Sequence, residues 1–353
     1  MRNSFLLMLF FALSAHAQEW SSYFDGALFG TYVTETGPRE PQNRLFSTNW
    51  FLVGTERQVG QRGAVMFRGR FTLEPLTIPR QGYPQLLQYV SPQNGGPLID
   101  HQRAHDLVEE VAVGLEWRPL QLYIAPVGEP PLGAEPYAQR FSSVDFAEAP
   151  FAYDLQEAFH VATRVIAGGV ITQFVDLEYG VFHRALSTGR HTSIDNGYID
   201  SWSARATIAP RSLFSGQFSI GRLGDEKSEL SSASVSYNGK ALAATALWTK
   251  RDELAAYGLE ATLRGGRHTV MARGESVDRP PGVFNFKMTR TKHVTFGYIF
   301  DVMHRTGYRA GIGANVDYHS GNPELQPTYG HKPQSVFAFF RLRTDRATRP
   351  TSP

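Results

Sequence analysis

Four residues near the ends of two long stretches have side chains that commonly bind metal ions. The stretches are residues 75–107 (loop A) and 128–158 (loop B). The residues are His101, His105, Asp106 and His160. Imidazole and carboxylate ligands suit zinc or copper. Histidine spacing across loops is a weak signal, however, and it favours the alternative that these side chains hydrogen-bond the loop backbone and hold its shape.

A second set of charged residues falls at alternate positions of strand-like segments. Both signs are present, as in the wall of an aqueous pore, where mixed charges set a transverse field or a weak ion preference. The simpler interpretation is that these side chains point to a common interior and pair with one another. The predicted pore-lining residues are Arg68, Arg70, Glu74, Glu116, Arg118, Arg164, Asp176, Glu178, Arg205, Arg309, Asp317 and Arg341.

The elements that would position these residues are β-strands. From Tyr308 to Tyr318, apolar or aromatic side chains occupy every second position, and polar residues or glycines occupy the others. A period of two is typical of a strand between an apolar medium and water. The predicted strands, sixteen in all, are residues 27–34, 45–57, 62–74, 108–118, 120–127, 159–167, 170–183, 198–208, 212–222, 230–237, 240–250, 255–264, 267–276, 291–301, 307–318 and 335–343.

The predicted connections alternate between tight and long. Loops A and B are the longest, and the tight ones are typical of hairpin turns. The tight ones are residues 59–61, 119, 168–169, 210–211, 238–239 and 265–266. Short periplasmic turns and long extracellular loops characterise outer-membrane barrels. We therefore predict an all-β fold, a transmembrane antiparallel β-barrel of about sixteen strands, with both termini in the periplasm.

The ends of the chain fit export to that membrane. Arg2, an apolar run at residues 5–13 and the small residues Ala15 and Ala17 predict a signal peptide at residues 1–17 and Sec-type export. We expect the barrel to occupy residues 18–343 and a disordered tail to occupy residues 344–353. The chain has no cysteine and a formal net charge of +2. These values predict no disulfide, no thiolate metal site and no nucleic-acid partner.

Four motifs in and beside loops A and B resemble a family of bacterial outer-membrane β-barrels that has no established activity. They are LEPLT at 73–77, GYPQLLQ at 82–88, PLIDHQRAHDL at 97–107 and PVGEPPLG at 126–133. The resemblance weakens to a general barrel likeness after about Arg222. Members of the family carry further histidines where this chain has Arg103, Gln139, Tyr153 and Asp154. The resemblance therefore implies the porin-like architecture more than a metal site.

Loop A contains much apolar surface, including Tyr83, Leu86, Leu87 and Tyr89, which is unfavourable for a segment in water. We expect loops A and B to pack on each other and to fold inward, where they narrow or plug the lumen. The predicted function is a porin-like channel for small polar or ionic solutes in the outer membrane of a Gram-negative bacterium.

Besides a structural or adhesive barrel, which would conduct nothing, two alternatives remain at this point. One is a metal-binding or metal-handling barrel that holds zinc or copper at the loop histidines; no other cofactor is predicted. The less favoured one is a hydrolase, since no serine lies in a recognisable nucleophile setting and barrel hydrolases have fewer strands. We expect no catalytic residue. The expected partners are outer-membrane lipid and lipopolysaccharide, the barrel-assembly machinery during biogenesis, the solutes or ions and, as an option, further copies of the chain.

Overall fold

Sixteen antiparallel strands pair in chain order, and the first also pairs with the last, which closes the sheet into a barrel. The computed structural model describes residues 19–36, 42–91, 97–157, 160–184, 197–224, 227–283 and 288–345. The barrel strands are β1 (Ser21–Thr36), β2 (Asn43–Val59), β3 (Gly63–Phe71), β6 (Val108–Trp117), β7 (Leu120–Gly128), β8 (Ala162–Ile171), β9 (Val175–His183), β10 (Ser201–Ile208), β11 (Phe214–Leu223), β12 (Ser228–Asn238), β13 (Leu242–Arg251), β14 (Leu254–Gly265), β15 (His268–Arg279), β16 (Thr289–Arg305), β17 (Tyr308–Ser320) and β18 (Gln334–Thr344). The antiparallel sixteen-stranded barrel is thus confirmed.

One predicted hairpin turn is wrong. Gly168 and Gly169 lie inside β8, and the chain reverses instead at residues 172–174. Thr172 holds this turn, because its Oγ1 accepts a hydrogen bond from the Val175 N–H at 2.9 Å and donates one to the Val175 carbonyl at 2.5 Å. A side chain that bonds to both backbone groups fixes a turn. Two glycines permit many backbone conformations and select none of them.

The two faces of the sheet differ as the sequence predicts. On β17, Ile312 and Tyr318 are 56% and 47% exposed, whereas Asn315 and Asp317 are fully buried. The outer face is therefore apolar and the inner face polar, which is the arrangement of a sheet between hydrocarbon and an aqueous or polar interior.

Loops A and B are built into the interior core. The short helix α1 (Glu74–Thr77) leads into loop A, which contains a two-stranded sheet of β4 (Tyr83–Val90) and β5 (Leu98–Gln102). Loop B contains α2 (Tyr153–Gln156). One apolar cluster joins Trp50 and Phe337 of the barrel to Tyr83 of loop A and Phe146 of loop B. The Tyr83 ring stacks on Phe46 of β2 with centroids 4.3 Å apart. The core therefore lies between the loops and the inner wall.

A third connection contributes to the same packing. Between β17 and β18, a 3-10 turn (Pro323–Leu325) leads into α3 (Gln326–Tyr329). Leu325 and Tyr329 pack with Leu87 of loop A, and the Tyr329 hydroxyl donates to Asp100 Oδ2 at 2.8 Å. Within the described residues, no helix has the length and apolar character that crossing a membrane requires.

Both predicted terminal segments fall largely outside the described part of the chain. The predicted signal peptide at residues 1–17 lies outside the described residues, and so do residues 346–353 of the predicted tail. Thr344 is the last residue of β18. The Asp345 carboxylate lies 2.8 Å from Arg309 Nε and 3.0 Å from His304 Nε2.

A charge on the outer face tests whether that face meets hydrocarbon. Phe296 lies midway along β16 and is 57% exposed. We expect Phe296→Arg to lower the free energy of unfolding by about 2–4 kcal/mol, as for arginine at a bilayer midplane. Phe214 is 64% exposed but is the first residue of β11, so Phe214→Arg should lower the free energy of unfolding by only about 0–1 kcal/mol. The measurement is unfolding by denaturant in lipid vesicles, and equal losses would contradict the assignment of the outer face.

Candidate functional site

Loop B is fixed to the barrel wall by ion pairs, and the Asp145 carboxylate takes part in three of them. It lies 2.7 Å from Arg264 Nη2 and 2.8 Å from Arg343 Nε, and it also binds Arg341. Burial raises the pKa of this carboxyl, but the three arginines outweigh burial and hold the pKa well below its usual range. Removing one partner of a buried ion pair leaves an uncompensated charge. Asp145 therefore strongly favours the docked position of loop B.

Two further ion pairs extend this contact along the loop. Arg140 of loop B lies 2.8 Å from Glu157 in the same loop and 2.6 Å from Glu260 on β14. Asp154 of α2 lies 3.0 Å from Arg251 on β13. Loop B is thus paired with the wall through an arginine of its own, Arg140, and through an acid of its own, Asp154.

Backbone groups of loop B are also bound by side chains. The Glu275 carboxylate on β15 accepts hydrogen bonds from the Phe151 and Ala152 N–H groups at 2.9 and 2.8 Å. The Tyr83 hydroxyl of loop A accepts one from the Ala149 N–H at 2.9 Å. Buried backbone groups need such partners, so loop B depends on both the wall and loop A for its conformation.

Two glycines let loop B approach the wall closely. A Cβ atom at Gly180 of β9 would lie 2.8 Å from Pro131, and one at Gly221 of β11 would lie 3.0 Å from Leu132. A larger side chain at either position would push the loop inward, since such distances are shorter than ordinary carbon contacts.

Part of the lumen remains open beside the loops. A cavity of ≈ 380 Å³ lies between residues 129–140 of loop B and strands β3 and β7 to β12. It extends to Pro210 and Asn238 at the end of the barrel where the tight turns lie, which we call the tight-turn rim. Small-molecule sites have volumes of about 300–1,000 Å³. Four predicted pore-lining residues contribute to its wall: Arg68, Asp176, Glu178 and Arg205.

The other predicted pore-lining residues lie elsewhere. Several are buried in contact with the loops or with neighbouring strands, and these are Arg70, Glu74, Asp317 and Arg341. Three lie near the tight-turn rim, and these are Glu116, Arg118 and Arg309. The structure therefore divides the predicted set between an open cavity, a buried interface and the rim.

Two β-bulges change which side chains face inward. Glu109 is the extra residue of a bulge in β6, and its buried carboxylate lies 2.9 Å from Arg70 Nε. In β8 the ladder shifts between Thr163 and Ile166, and Arg164 has a φ of 52°. Arg164 is exposed, and it is not among the residues that line the cavity. A strict period of two misplaces residues at bulges, because one extra residue inverts the alternation.

His105 and His160 meet between the loops and β6. Their ring centroids are 5.3 Å apart. Each ring, and the carboxylate of Glu109, offers one atom that could bind a metal, and these three atoms lie within 4.8 Å of one another. A cavity of ≈ 30 Å³ adjoins them, large enough for a water molecule. His105 Nδ1 lies 2.7 Å from Glu74 Oε2, and His105 Nε2 lies 2.8 Å from the Tyr153 hydroxyl. Both ring nitrogens of His105 therefore already have side-chain partners.

The predicted metal ligands do not all converge. The group just described contains Glu109 instead of His101 and Asp106. His101 lies on β5, where its Nδ1 is 3.0 Å from the Ile99 carbonyl. A metal ion at His105 would have to displace Glu74 or Tyr153. Zinc or copper binding by the loop histidines stays a prediction.

The two rings differ in charge. Burial disfavours the charged form of His105, but Glu74 and Glu109 outweigh burial and raise its pKa to about 9. Burial and the charge on His105 lower the pKa of His160 well below its usual value. His160 Nδ1 lies 2.6 Å from the Glu157 carbonyl, which suits a neutral ring that donates there. The arrangement is that of an ion pair between His105 and Glu74, which joins the two ends of loop A, with the Glu109 carboxylate of β6 at 3.9 Å from the same ring nitrogen.

Solved structures with this architecture are outer-membrane porins and related barrels. An anion-selective porin from Comamonas acidovorans matches 92% of this chain and 100% of its own, with a TM-score of 0.58 and 13% identity. The chain has the fold of a porin-like outer-membrane barrel. A loop-deletion mutant of OmpT, an outer membrane protein of Vibrio cholerae, matches 92% and 99%, with a TM-score of 0.54 and 11% identity. A mutant of Rh. blastica porin matches 92% and 100%, with a TM-score of 0.51 and 10% identity.

No protein-family model and no curated protein sequence matches the chain. At the identities found for the solved structures, the likeness concerns the porin-like fold alone. Charges, cavity and loop contacts must therefore be argued from this chain's own residues.

The acids that dock loop B were not predicted as site residues. They are Asp145, Glu148 and Asp154. A signal was present, since residues 128–157 contain six acids and one arginine, and isolated charges are not buried in a porin-like interior without partners. An acidic loop beside arginine-bearing strands predicts inward docking.

The ion pair at His105 makes stability depend on pH. Its pKa is raised from an ordinary value of 6.5 to about 9, so the stabilisation is complete below pH 6.5 and is lost as the pH rises through 9. For this reason we expect the free energy of unfolding in detergent micelles to be about 2–3 kcal/mol lower at pH 9.5 than at pH 6. His105→Gln should remove that part of the pH dependence. His268→Gln, a change of an exposed histidine, should leave it intact; equal slopes for wild type and His105→Gln would contradict the assignment.

Proposed function

We propose that the barrel is a narrow channel for small polar or ionic solutes in the outer membrane of a Gram-negative bacterium, constricted by loops A and B. The observation that carries the proposal is the polar cavity of ≈ 380 Å³ beside loop B, which extends to the tight-turn rim. Solutes would pass along β3 and β7 to β12, where the wall is not covered by the docked part of loop B. No catalytic group is needed for this function.

The charges that line the cavity support a weak ion preference. The cations are Arg68, Arg140 and Arg205, and the acids are Glu129, Glu135, Asp176 and Glu178. Arg205 Nε lies 2.8 Å from Glu178 Oε2, and Arg68 lies 2.6 Å from Glu110. Because opposite charges alternate at short range, the cavity presents local fields and little net charge. Such a wall favours polar and singly charged solutes over apolar ones.

The constriction rests on the opposite side of the lumen. There, loop B covers β13 to β18 through the ion pairs of Asp145, Arg140 and Asp154. Buried pairs resist separation because each partner would be left as an unpaired charge. We infer that loop B is a fixed wall of the channel and that it does not open during ordinary conduction.

Breaking the central ion pairs should widen the channel. We expect wild-type barrels in planar bilayers to give small, discrete openings. Asp145→Asn should weaken loop docking by about 3–5 kcal/mol, because three arginines lose their shared carboxylate, and should give larger and noisier openings. Single-channel conductance is the measurement.

A matched control makes that experiment specific. Asp252 lies in the β13–β14 hairpin and bonds to Ser228, away from the Asp145 contacts. Asp252→Asn should conduct like wild type. An absence of discrete openings in both wild type and Asp145→Asn would reject the channel in favour of a structural or adhesive barrel.

Single charges in the cavity should shift ion selectivity in opposite directions. Glu178→Gln leaves Arg205 without its acid and should move the reversal potential toward anion preference. Arg205→Gln leaves Glu178 and should move it toward cation preference. Arg305→Gln changes an exposed arginine at the end of β16 and should move it little. Reversal potentials in a salt gradient measure all three, and equal values for the two cavity variants would place the conduction path elsewhere.

A further inference from the structure

A second group of metal-binding side chains lies on the inner wall, apart from the loop histidines. In the ladder between β16 and β17, His293 lies directly opposite His319, and Asp317 is two residues before His319 on the same face. Ligand atoms from all three lie within 4.8 Å of one another. The two imidazole rings stack with centroids 4.7 Å apart and an angle of 7° between their planes. Strand register alone therefore brings two imidazoles and a carboxylate together.

These side chains are buried, and several of their polar atoms lack hydrogen bonds. His293 and Asp317 are fully buried and His319 is 4% exposed. Three of their atoms have no hydrogen-bond partner among the described residues: the two carboxylate oxygens of Asp317 and the Nδ1 of His319. His293 Nε2 lies 3.2 Å from Asp317 Oδ2, but outside hydrogen-bond geometry. Unsatisfied buried atoms of this kind are costly unless something binds them.

Other groups bind one nitrogen of each ring and leave the second nitrogen available to a metal. Glu275 Oε2 lies 3.2 Å from His293 Nδ1, which leaves Nε2 on the side of Asp317. The Ser335 hydroxyl lies 3.3 Å from His319 Nε2, which leaves Nδ1 as the free nitrogen. A carboxylate or hydroxyl on the far nitrogen is the usual support of a histidine that binds a metal. His293 Nε2 also lies 3.2 Å from the Thr295 hydroxyl, and a metal would replace that contact.

We propose that His293, Asp317 and His319 bind a divalent transition metal, zinc or copper. Two imidazoles and a carboxylate suit both ions. Metal–ligand bonds of about 2.0–2.1 Å place ligand atoms roughly 3.3 Å apart. Binding therefore requires side-chain rotations that draw in ligand atoms now within 4.8 Å of one another and that turn the stacked rings until their nitrogen lone pairs converge. The Phe151 ring of loop B covers the site, 5.1 Å from the His293 ring and 5.9 Å from the His319 ring. Because the site is covered, the metal is resident and is not a solute in transit.

Charge supports a cation at this position. Glu148 lies close by, where it accepts a hydrogen bond from Asn315 Nδ2 at 2.6 Å and lies 3.8 Å from Arg273. Its Oε1 has no hydrogen-bond partner among the described residues. With Asp317 and Glu275, three carboxylates therefore lie within one buried region, and they outnumber the two arginines there, Arg273 and Arg279. The competing explanation is a protonated His293 that pairs with Asp317 and Glu275 and binds no metal.

Titration of the refolded full-length barrel distinguishes these explanations. After treatment with a chelator, we expect calorimetry to show one equivalent of Zn²⁺ or Cu²⁺ bound to wild type. Asp317→Asn and His319→Ala should each weaken binding at least ~10-fold, and Glu275→Gln should weaken it roughly 10- to 100-fold, as for other supporting carboxylates. Absence of binding to wild type would overturn the proposal.

The loop histidines provide the matched control. In the double variant His105→Ala/His160→Ala, binding should persist, and the electron paramagnetic resonance spectrum of its Cu²⁺ form should show nitrogen coupling from two imidazoles. Loss of binding in this variant would place the metal at the loops and overturn the proposal. Folding of every variant is checked by heat-dependent migration in gels. If Asp317→Asn or His319→Ala does not fold, the copper spectrum of the double variant decides, and a spectrum without nitrogen coupling overturns the proposal.

Discussion

The rest of the structure depends on closure of the sheet. Each barrel strand pairs with two neighbours, and β1 pairs with β18 over ten residue pairs. Hydrocarbon offers no water to solvate an open edge, so a sheet can span a membrane only when it closes. Closure with alternating side chains gives an apolar outside and a polar inside. A barrel of sixteen strands also has a lumen too wide for its own side chains to fill, and the loops are what occupies it here.

Electrostatics decides how the loops fill that lumen. Arginines on β13 to β18 project into a region from which water is largely excluded, where an unpaired charge is very unfavourable. Loop B supplies the carboxylates, with Asp145 between Arg264, Arg341 and Arg343. Loop B covers one side of the barrel as a result, and the cavity of ≈ 380 Å³ lies on the other side. The same physical requirement thus accounts both for the docked loop and for the position of the cavity beside it.

The sequence predicts the strands, which depend on neighbouring residues, better than it predicts contacts between residues that are far apart in the chain. All sixteen strands could be predicted because alternation needs only neighbouring residues, and the inward position of Asp317 followed from the same rule. The partners of the loop acids could not be predicted, since Asp145 and Arg341 are 196 residues apart and nothing local records which strand faces which loop. The bulges at Glu109 and Arg164 were not predicted either, because a bulge depends on the register between two strands and not on the alternation within one strand.

The two histidine clusters show why residue type alone does not define a metal site. In the loop cluster, His105 has Glu74 on one nitrogen and Tyr153 on the other, so its charge is balanced and its bonding capacity is used. In the wall cluster, Glu275 and Ser335 each occupy one nitrogen of a ring. The other nitrogen of His293 contacts the Thr295 hydroxyl, whereas His319 Nδ1 and both carboxylate oxygens of Asp317 have no hydrogen-bond partner among the described residues. The loop cluster is the one that histidine spacing and family resemblance bring to notice. Only the ladder between β16 and β17 reveals the other, because residues 293 and 319 become neighbours through register.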